Sequence, residues 1–265
     1  MKLTREQTRN HEAACAVLAQ DTLSDDDREF VFTHWHEGAT HLNGKAGAHF
    51  TPLALAYDME FDFRGRRIID LCAGIGVLSF VAAMRARHGY DEITPEIVCI
   101  EINPAYVEIG RKLVPEATWI CGDALDPELL GSLGHFDCAF GNPPYGKSRS
   151  GHTAPRYGNG NHFEYQVIDA ASDIADYGTF LIPQQRAPFT YSGRADNRHP
   201  DNPAYERFSD ATGITMDAGI GVDTEFYKDE WKDVKPICEI VCCDFMDARD
   251  IRRPAQSDLF TTEAA

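Results

Sequence analysis

The chain is short of cations. It carries 25 Lys and Arg against 42 Asp and Glu, for a formal net charge of −17 and a pI near 4.9. Phosphate contacts need Lys and Arg, so this balance counts against a nucleic-acid partner. No run of eighteen apolar residues occurs, and no membrane span is expected. No basic-then-apolar leader opens the chain, so secretion is not expected either. Cys-x-x-Cys pairs are missing as well. Seven of the eight cysteines (Cys72, Cys99, Cys121, Cys138, Cys238, Cys242 and Cys243) lie in apolar runs that read as strands. Buried, reduced thiols in a cytosolic protein are the expected state, with no metal. His34, His36, His41 and His49 are close in sequence, but their spacing fits no ligand pattern, and surface or local hydrogen-bonding roles are expected.

What is present suffices for a core. With 265 residues and 43% hydrophobic content, one large α/β domain, or one domain with a small appendage, is expected. Thr4 with Gln7 resembles a capping box ahead of an apolar stripe, Ala13, Ala14, Val17 and Leu18. Ser24 with Asp25, Asp26 and Asp27 reads as a second helix start, with Phe30, Val31 and Trp35 as its buried face. Thr51-Pro52 predicts a third, Thr51 as N-cap and Pro52 as first helical residue.

The chain is organised around Phe140-Gly141-Asn142-Pro143-Pro144-Tyr145-Gly146. The apolar run Phe136–Phe140 reads as a buried strand, and the two prolines end it, since neither can donate to a ladder. Taken alone, this could be an ordinary Pro-Pro turn. As a site, it offers an amide (Asn142), a carbonyl (Pro143) and a ring (Tyr145). These suit a flat, amino-bearing substrate: oxygens accept from an NH2 group and the ring stacks on its carrier.

Upstream, the strand Arg67–Leu71 contains Asp70 and leads into Cys72-Ala73-Gly74-Ile75-Gly76, after which a helix is expected from about Val77 to His88. A lone glycine loop is a weak signal, but no Gly-Lys-Ser/Thr follows, which disfavours a nucleoside triphosphate. The spacing Asp70-x-x-x-Gly74-x-Gly76 suits an S-adenosylmethionine loop better than a dinucleotide loop. A second strand, Ile97–Glu101, ends in an acid placed for ribose hydroxyls, and a third, Thr118–Cys121, ends at Gly122-Asp123-Ala124. Helices are expected over 104–114 and 127–133. Alternating strands and helices imply a mostly parallel sheet with ligands at the strand C-termini. Asp70, Glu101, Asp123 and Asn142 each fall at such an end.

On these motifs the chain resembles class I S-adenosylmethionine-dependent methyltransferases that methylate amino groups. It is most similar to the N6-adenine DNA methyltransferases, over roughly residues 46–245. The order of the Thr51-Pro52 segment, glycine loop and Asn-Pro-Pro-Tyr is that of the gamma arrangement. The resemblance implies a Rossmann-like, mostly parallel seven-stranded sheet with an antiparallel last strand. It implies an N-terminal helical extension (1–45), a catalytic domain (46–249) and a tail (250–265). S-adenosylmethionine is the implied cofactor. Thr51 would meet its methionine carboxylate, and Asp70, Ala73, Gly74 and Gly76 its methionine end. Glu101 would take the ribose, Ile102 would pack on the adenine, and Asp123 beside Ala124 would bind the adenine amino group. Asn142, Pro143, Pro144 and Tyr145 would be the catalytic elbow. Lys147, Arg149 and Arg156 lie in an acid-free stretch between Pro143 and Phe163 and would meet phosphates. Phe226 would stack on a flipped base.

The remaining chain is expected to supply a helix from His162 to about Ala175 ended by Gly178, and a strand at Thr179–Pro183. A long polar surface loop over 184–213 and a hairpin of Val222–Trp231 with Pro236–Phe245 would follow. No room is left for the target-recognition domain usual in such DNA enzymes, so a specificity subunit or a homodimer is the expected partner of a cytoplasmic, metal-free enzyme. RNA N6-adenine methylation, protein-glutamine N5-methylation and a non-catalytic cofactor-binding subunit are the rival readings.

Overall fold

The computed structural model describes residues 3–39, 49–87, 94–147, 150–158, 161–194, 198–232 and 234–252. Six strands are hydrogen-bonded in the order β3-β2-β1-β4-β5-β6. They are β1 (Arg67–Leu71), β2 (Glu96–Glu101), β3 (Thr118–Cys121), β4 (Phe136–Gly141), β5 (Ala175–Pro183) and β6 (Cys238–Asp244). The first five run parallel and β6 is antiparallel to β5. Ile68, Ile69, Leu71, Val98, Cys99, Ile100 and Cys138 are all buried, as expected of strands covered on both faces.

One apolar cluster lies on each side. On one face pack α1 (Arg5–Leu18), α2 (Asp25–His34), α3 (Leu53–Met59), α4 (Val77–Arg87) and α5 (Pro104–Leu113). On the other pack α6 (Pro127–Ser132), α7 (Phe163–Ala171), α8 (Pro203–Thr212) and α9 (Phe245–Arg252). Helices α1 and α2 start with complete capping boxes at Thr4/Gln7, where one was expected, and at Ser24/Asp27, where an acid-rich helix start was expected. Of the expected buried face of α2, Val31 and Trp35 are buried but Phe30 is 36% exposed. β1 pairs with β2 on one side and β4 on the other, so chain progression reverses there. The strand ends around that reversal open a crevice where α/β sheets bind ligands.

Several local expectations are corrected. Thr51 is not a cap. Helix α3 begins at Leu53 behind Pro52 without a side-chain cap, and the Thr51 hydroxyl is used elsewhere. Helix α7 ends at Ala171, and residues 175–178 already belong to β5. Gly178 is therefore not a helix stop: a Cβ there would lie 2.4 Å from Phe245 Cζ, so it admits the α9 ring against the sheet. The described residues of 184–213 do not form a surface loop. They bury Ala187, Phe189 and Phe208 and contain α8, which Gly213 ends at φ 68°.

Among the described residues the predicted hairpin is also absent. Residues 224–227 form a 3-10 turn capped by Asp223, and among the described residues the outer side of β6 meets a single bridge, Asp217 with Cys242. Among the described residues six strands stand where seven were expected, that outer strand being reduced to one bridge. Residues 250–252 close α9, and the rest of the expected tail lies outside the described residues. All eight cysteines are free thiols. Among the described residues, no helix is long and apolar enough to cross a membrane.

Candidate active site

A cavity of about 610 Å³ opens at the C-terminal ends of β1, β2, β3 and β4. Its floor is the turn after β1. Cys72 takes φ 66°, a left-handed conformation that a β-carbon-bearing residue rarely adopts, and Gly74 follows at φ 58°. The turn is tied to β2: Ala73 N donates to Ile100 O at 2.9 Å and Gly74 N to a Glu101 carboxylate oxygen at 2.9 Å. Gly74 is needed for a second reason. A Cβ would sit 2.7 Å from Phe50 Cε1, and the Phe50 ring stacks on Trp35 of the α2 C-cap and meets Tyr106 of α5 edge-on.

Three acids mark the strand ends. Asp70 is 1% exposed. Its Oδ2 accepts from Ser79 Oγ at 2.8 Å, while Oδ1 is buried without a partner. Burial pushes its carboxyl up to about 7, and nearby Glu101 adds to the shift. Glu101 accepts from Gly74 N and from Asn103 N at 2.8 Å, and burial raises its carboxyl too. Asp123 accepts from Leu125 N at 2.9 Å and from Ser150 Oγ at 2.5 Å.

The fourth strand supplies the elbow. Gly141 passes so close to β1 that a Cβ would lie 2.2 Å from Leu71 O. Next, Asn142 Nδ2 donates to His49 O at 3.0 Å and to Thr51 Oγ1 at 3.1 Å. A carbonyl can only accept, so it fixes the amide nitrogen on that side and leaves Asn142 Oδ1 as the outward acceptor. The Tyr145 hydroxyl is engaged with Cys238 Sγ at 3.1 Å, which leaves the ring as the part that faces the cavity.

Of the residues picked from sequence, Thr51, Asp70, Ala73, Gly74, Glu101, Ile102, Asp123, Ala124, Asn142, Pro144, Tyr145 and Lys147 line this one cavity. Four do not. Gly76 lies behind the turn at φ 92°, where a Cβ would meet Trp119. Pro143 is buried behind the wall. Phe226 is 84% exposed on its 3-10 turn and does not line the cavity. Arg156 is spent internally: its guanidinium pairs with Asp169 at 2.8 Å and with Asp173, and Asp169 is fully buried. Arg149 falls outside the described residues. Phe50, Cys72, Tyr106, Ser150 and Phe163 line the cavity without having been singled out. Cys72 had a signal, being the residue between the strand and the glycines.

No protein-family profile matches the chain. Among curated proteins it is similar to the release factor glutamine methyltransferase of Corynebacterium glutamicum, 32% identical over 89 residues. That match covers 32% of this chain and 30% of the other, so the chain spans about a third of that relative's length. Among solved structures it is similar to a putative class I S-adenosylmethionine-dependent methyltransferase from Listeria monocytogenes. The TM-score is 0.55 at 9% identity, covering 86% of this chain and 69% of that one. A type I restriction-modification methyltransferase subunit from Streptococcus thermophilus aligns with TM-score 0.49 at 13% identity, covering 82% of this chain and 49% of that one. The Listeria likeness establishes the fold as the Rossmann-like methyltransferase architecture.

Proposed function

We propose that the chain is an S-adenosylmethionine-dependent methyltransferase acting on the exocyclic N6 amine of adenine in DNA. The observation that carries the reading is the orientation of Asn142. Both of its N–H donors are taken by His49 O and Thr51 Oγ1, so the side chain presents an acceptor to the cavity. An acceptor at that place suits an incoming NH2 group and not a hydroxylate or a carbonyl.

The cavity residues fit the cofactor. The partnerless Asp70 Oδ1 suits a cationic amino group, which would also relieve the cost of burying that charge. Glu101, held by two backbone N–H groups, keeps lone pairs for ribose hydroxyls. Ile102, 62% exposed, offers an apolar face for the adenine ring. When bound, the cofactor supplies an electrophilic methyl group on a sulfonium. The chain's own residues do the rest. Asn142 Oδ1 accepts an amine N–H, draws that nitrogen's lone pair out of conjugation and stabilises the positive charge that builds on it. The Tyr145 ring stacks on the base, offsetting part of the few kcal/mol needed to flip it from a duplex. Lys147, exposed at the rim, is a cation available to a phosphate.

A second reading is transfer to a protein glutamine, whose side-chain amide is a planar NH2 donor of the same kind. It is favoured by Arg156 being locked to Asp169 and Asp173, and by the net charge of −17. It is also favoured by the similarity to a release factor glutamine methyltransferase. The test is methyl transfer from labelled S-adenosylmethionine to an adenine-containing DNA duplex, an RNA strand and a glutamine-bearing release-factor peptide. Label on DNA N6-adenine is the expected result. Label on the peptide alone would replace the substrate and keep the chemistry. No binding of the cofactor would sink both readings.

A further inference from the structure

The elbow is held from behind by a residue that does not line the cavity. Gly146 directly follows Asn-Pro-Pro-Tyr and takes φ 92°. A Cβ there would meet nothing within 4 Å, so backbone conformation, not space, calls for glycine. Both sides of this residue are fixed by the start of α7. Gly146 N donates to Glu164 Oε2 at 3.0 Å, and Gly146 O accepts from Phe163 N at 2.6 Å. The Glu164 side chain is 1% exposed. Its other oxygen, Oε1, faces Arg186 Nε at 3.7 Å and His162 Nδ1 at 3.8 Å. The next residue, Tyr165, donates its hydroxyl to Arg186 O at 2.5 Å. Two consecutive residues of α7 therefore join the elbow to the turn that follows β5.

A buried carboxylate is a costly way to hold a turn, and the two prolines already stiffen the chain on the near side. The prolines leave the far side of Tyr145 unfixed, and Glu164 closes it. We infer that Glu164 is the positioning residue of the methyl-transfer site, clamping the Gly146 amide so that Asn142 and Tyr145 keep their alignment toward the substrate amine. The inference rests on the reading of Asn142 as the amine acceptor. Glu164 acts through Gly146 and touches no reacting atom, so its loss should lower kcat and leave cofactor affinity alone. Misplacement of a reacting group by about 1 Å can cost on the order of 100-fold.

The experiment compares wild type, Glu164→Ala and Glu164→Gln in single-turnover transfer, cofactor titration and hydrogen exchange at the Gly146 amide. Glu164→Ala should lose about 10- to 100-fold in kcat, with cofactor Kd unchanged and Gly146 exchange accelerated while β4 stays protected. Glu164→Gln keeps an acceptor for Gly146 and can turn its NH2 toward His162 Nδ1, which lacks a hydrogen bond, at the cost of setting that NH2 near the Arg186 Nε donor, so it should recover a large part of the rate and the protection. A fold defect would instead lower protection throughout β4 and would not be rescued selectively. Wild-type kcat and wild-type Gly146 exchange in Glu164→Ala would overturn the inference. If the wild-type protein methylates neither adenine nor glutamine, the functional reading falls separately, and the exchange data alone decide whether Glu164 clamps the elbow.

Discussion

Replacing Asn142 by Ala removes the one outward acceptor while leaving the strand that carries it intact. Asn142 is half-buried at the end of β4, so no core cavity is created. Two inward bonds are also lost, to His49 O at 3.0 Å and Thr51 Oγ1 at 3.1 Å. Each ordinary hydrogen bond contributes about 0.5–1.5 kcal/mol, so a stability loss of this order, or up to twice it, is expected in urea unfolding. The catalytic loss should be larger. Removing a preorganised group that stabilises transition-state charge costs about 100- to 1,000-fold in kcat, or roughly 2.7–4 kcal/mol. Asn142→Asp separates the two roles. It keeps an outward oxygen but sets a second oxygen against the His49 carbonyl, so it must rotate or take up a proton. It should be nearly as slow as Ala and less stable than it. The assay is single-turnover transfer to adenine DNA with cofactor affinity measured in parallel. A wild-type rate in Asn142→Ala would reduce the elbow to a structural turn and refute the reasoning.

Five further outcomes are expected. Glu101→Ala should weaken S-adenosylmethionine by about 1.5–3 kcal/mol, the usual worth of hydrogen bonds to a charged group; calorimetry giving an unchanged affinity would remove Glu101 from the ribose. Lys147→Ala should lower the salt slope of DNA binding by roughly 0.7–0.9, whereas Arg156→Ala should leave that slope alone and lower the unfolding midpoint, because it strips the buried Asp169 of its cation. Gly141→Ala should cost about 1–3 kcal/mol by overpacking against Leu71 O, read by thermal unfolding. Asp70 should make the cofactor-free protein less stable as pH rises from about 4 to 7. The buried carboxyl keeps its proton in the folded state up to about 7, while the unfolded chain ionises near 3.8, so the unfolded state is favoured progressively across that window. Asp70→Asn should flatten that part of the profile, and identical profiles would contradict the assigned burial cost.

The parallel half of the fold was legible because its signals are local. An apolar run, an acid or amide at its end and a glycine or proline turn recur at β1, β2, β3 and β4, and each is read within a dozen residues. The second half depends on distant partners. Gly178 looks like a helix stop until Phe245, far along the chain, is seen to need its missing side chain. The aromatic run around Phe226 alternates well enough to suggest a strand. Asp223 nevertheless caps a 3-10 turn there, and β6 finds its outer partner at Asp217 instead. Periodicity reports which residues could face a core, and it is silent on which strand will be opposite.

The site shows the same division for a chemical reason. Asp70, Glu101, Asp123 and Asn142 were legible because parallel strands deliver their C-terminal residues to one edge whatever the loops do. Arg156 was not, since a cation in an acid-free stretch looks free until its spatial neighbours appear. Those neighbours, Asp169 and Asp173, sit one helical turn apart on and just beyond α7, and they claim it. The same helix presents Glu164 to Gly146 and Tyr165 to Arg186. Helix α7 is thus the frame against which the loop after the elbow is set, and it holds that loop by charge and backbone contacts that no local pattern announces. With Arg156 bound to the frame, affinity for a polyanion falls on few described cations, Lys147 first among them. On the proposed reading, adenine specificity has to come from the shape and acceptors of the cavity more than from phosphate attraction. On that reading DNA binding should be weak and only mildly salt-sensitive, since the salt slope scales with the number of phosphate contacts, and discrimination between NH2-bearing substrates is left to Asn142 and Tyr145.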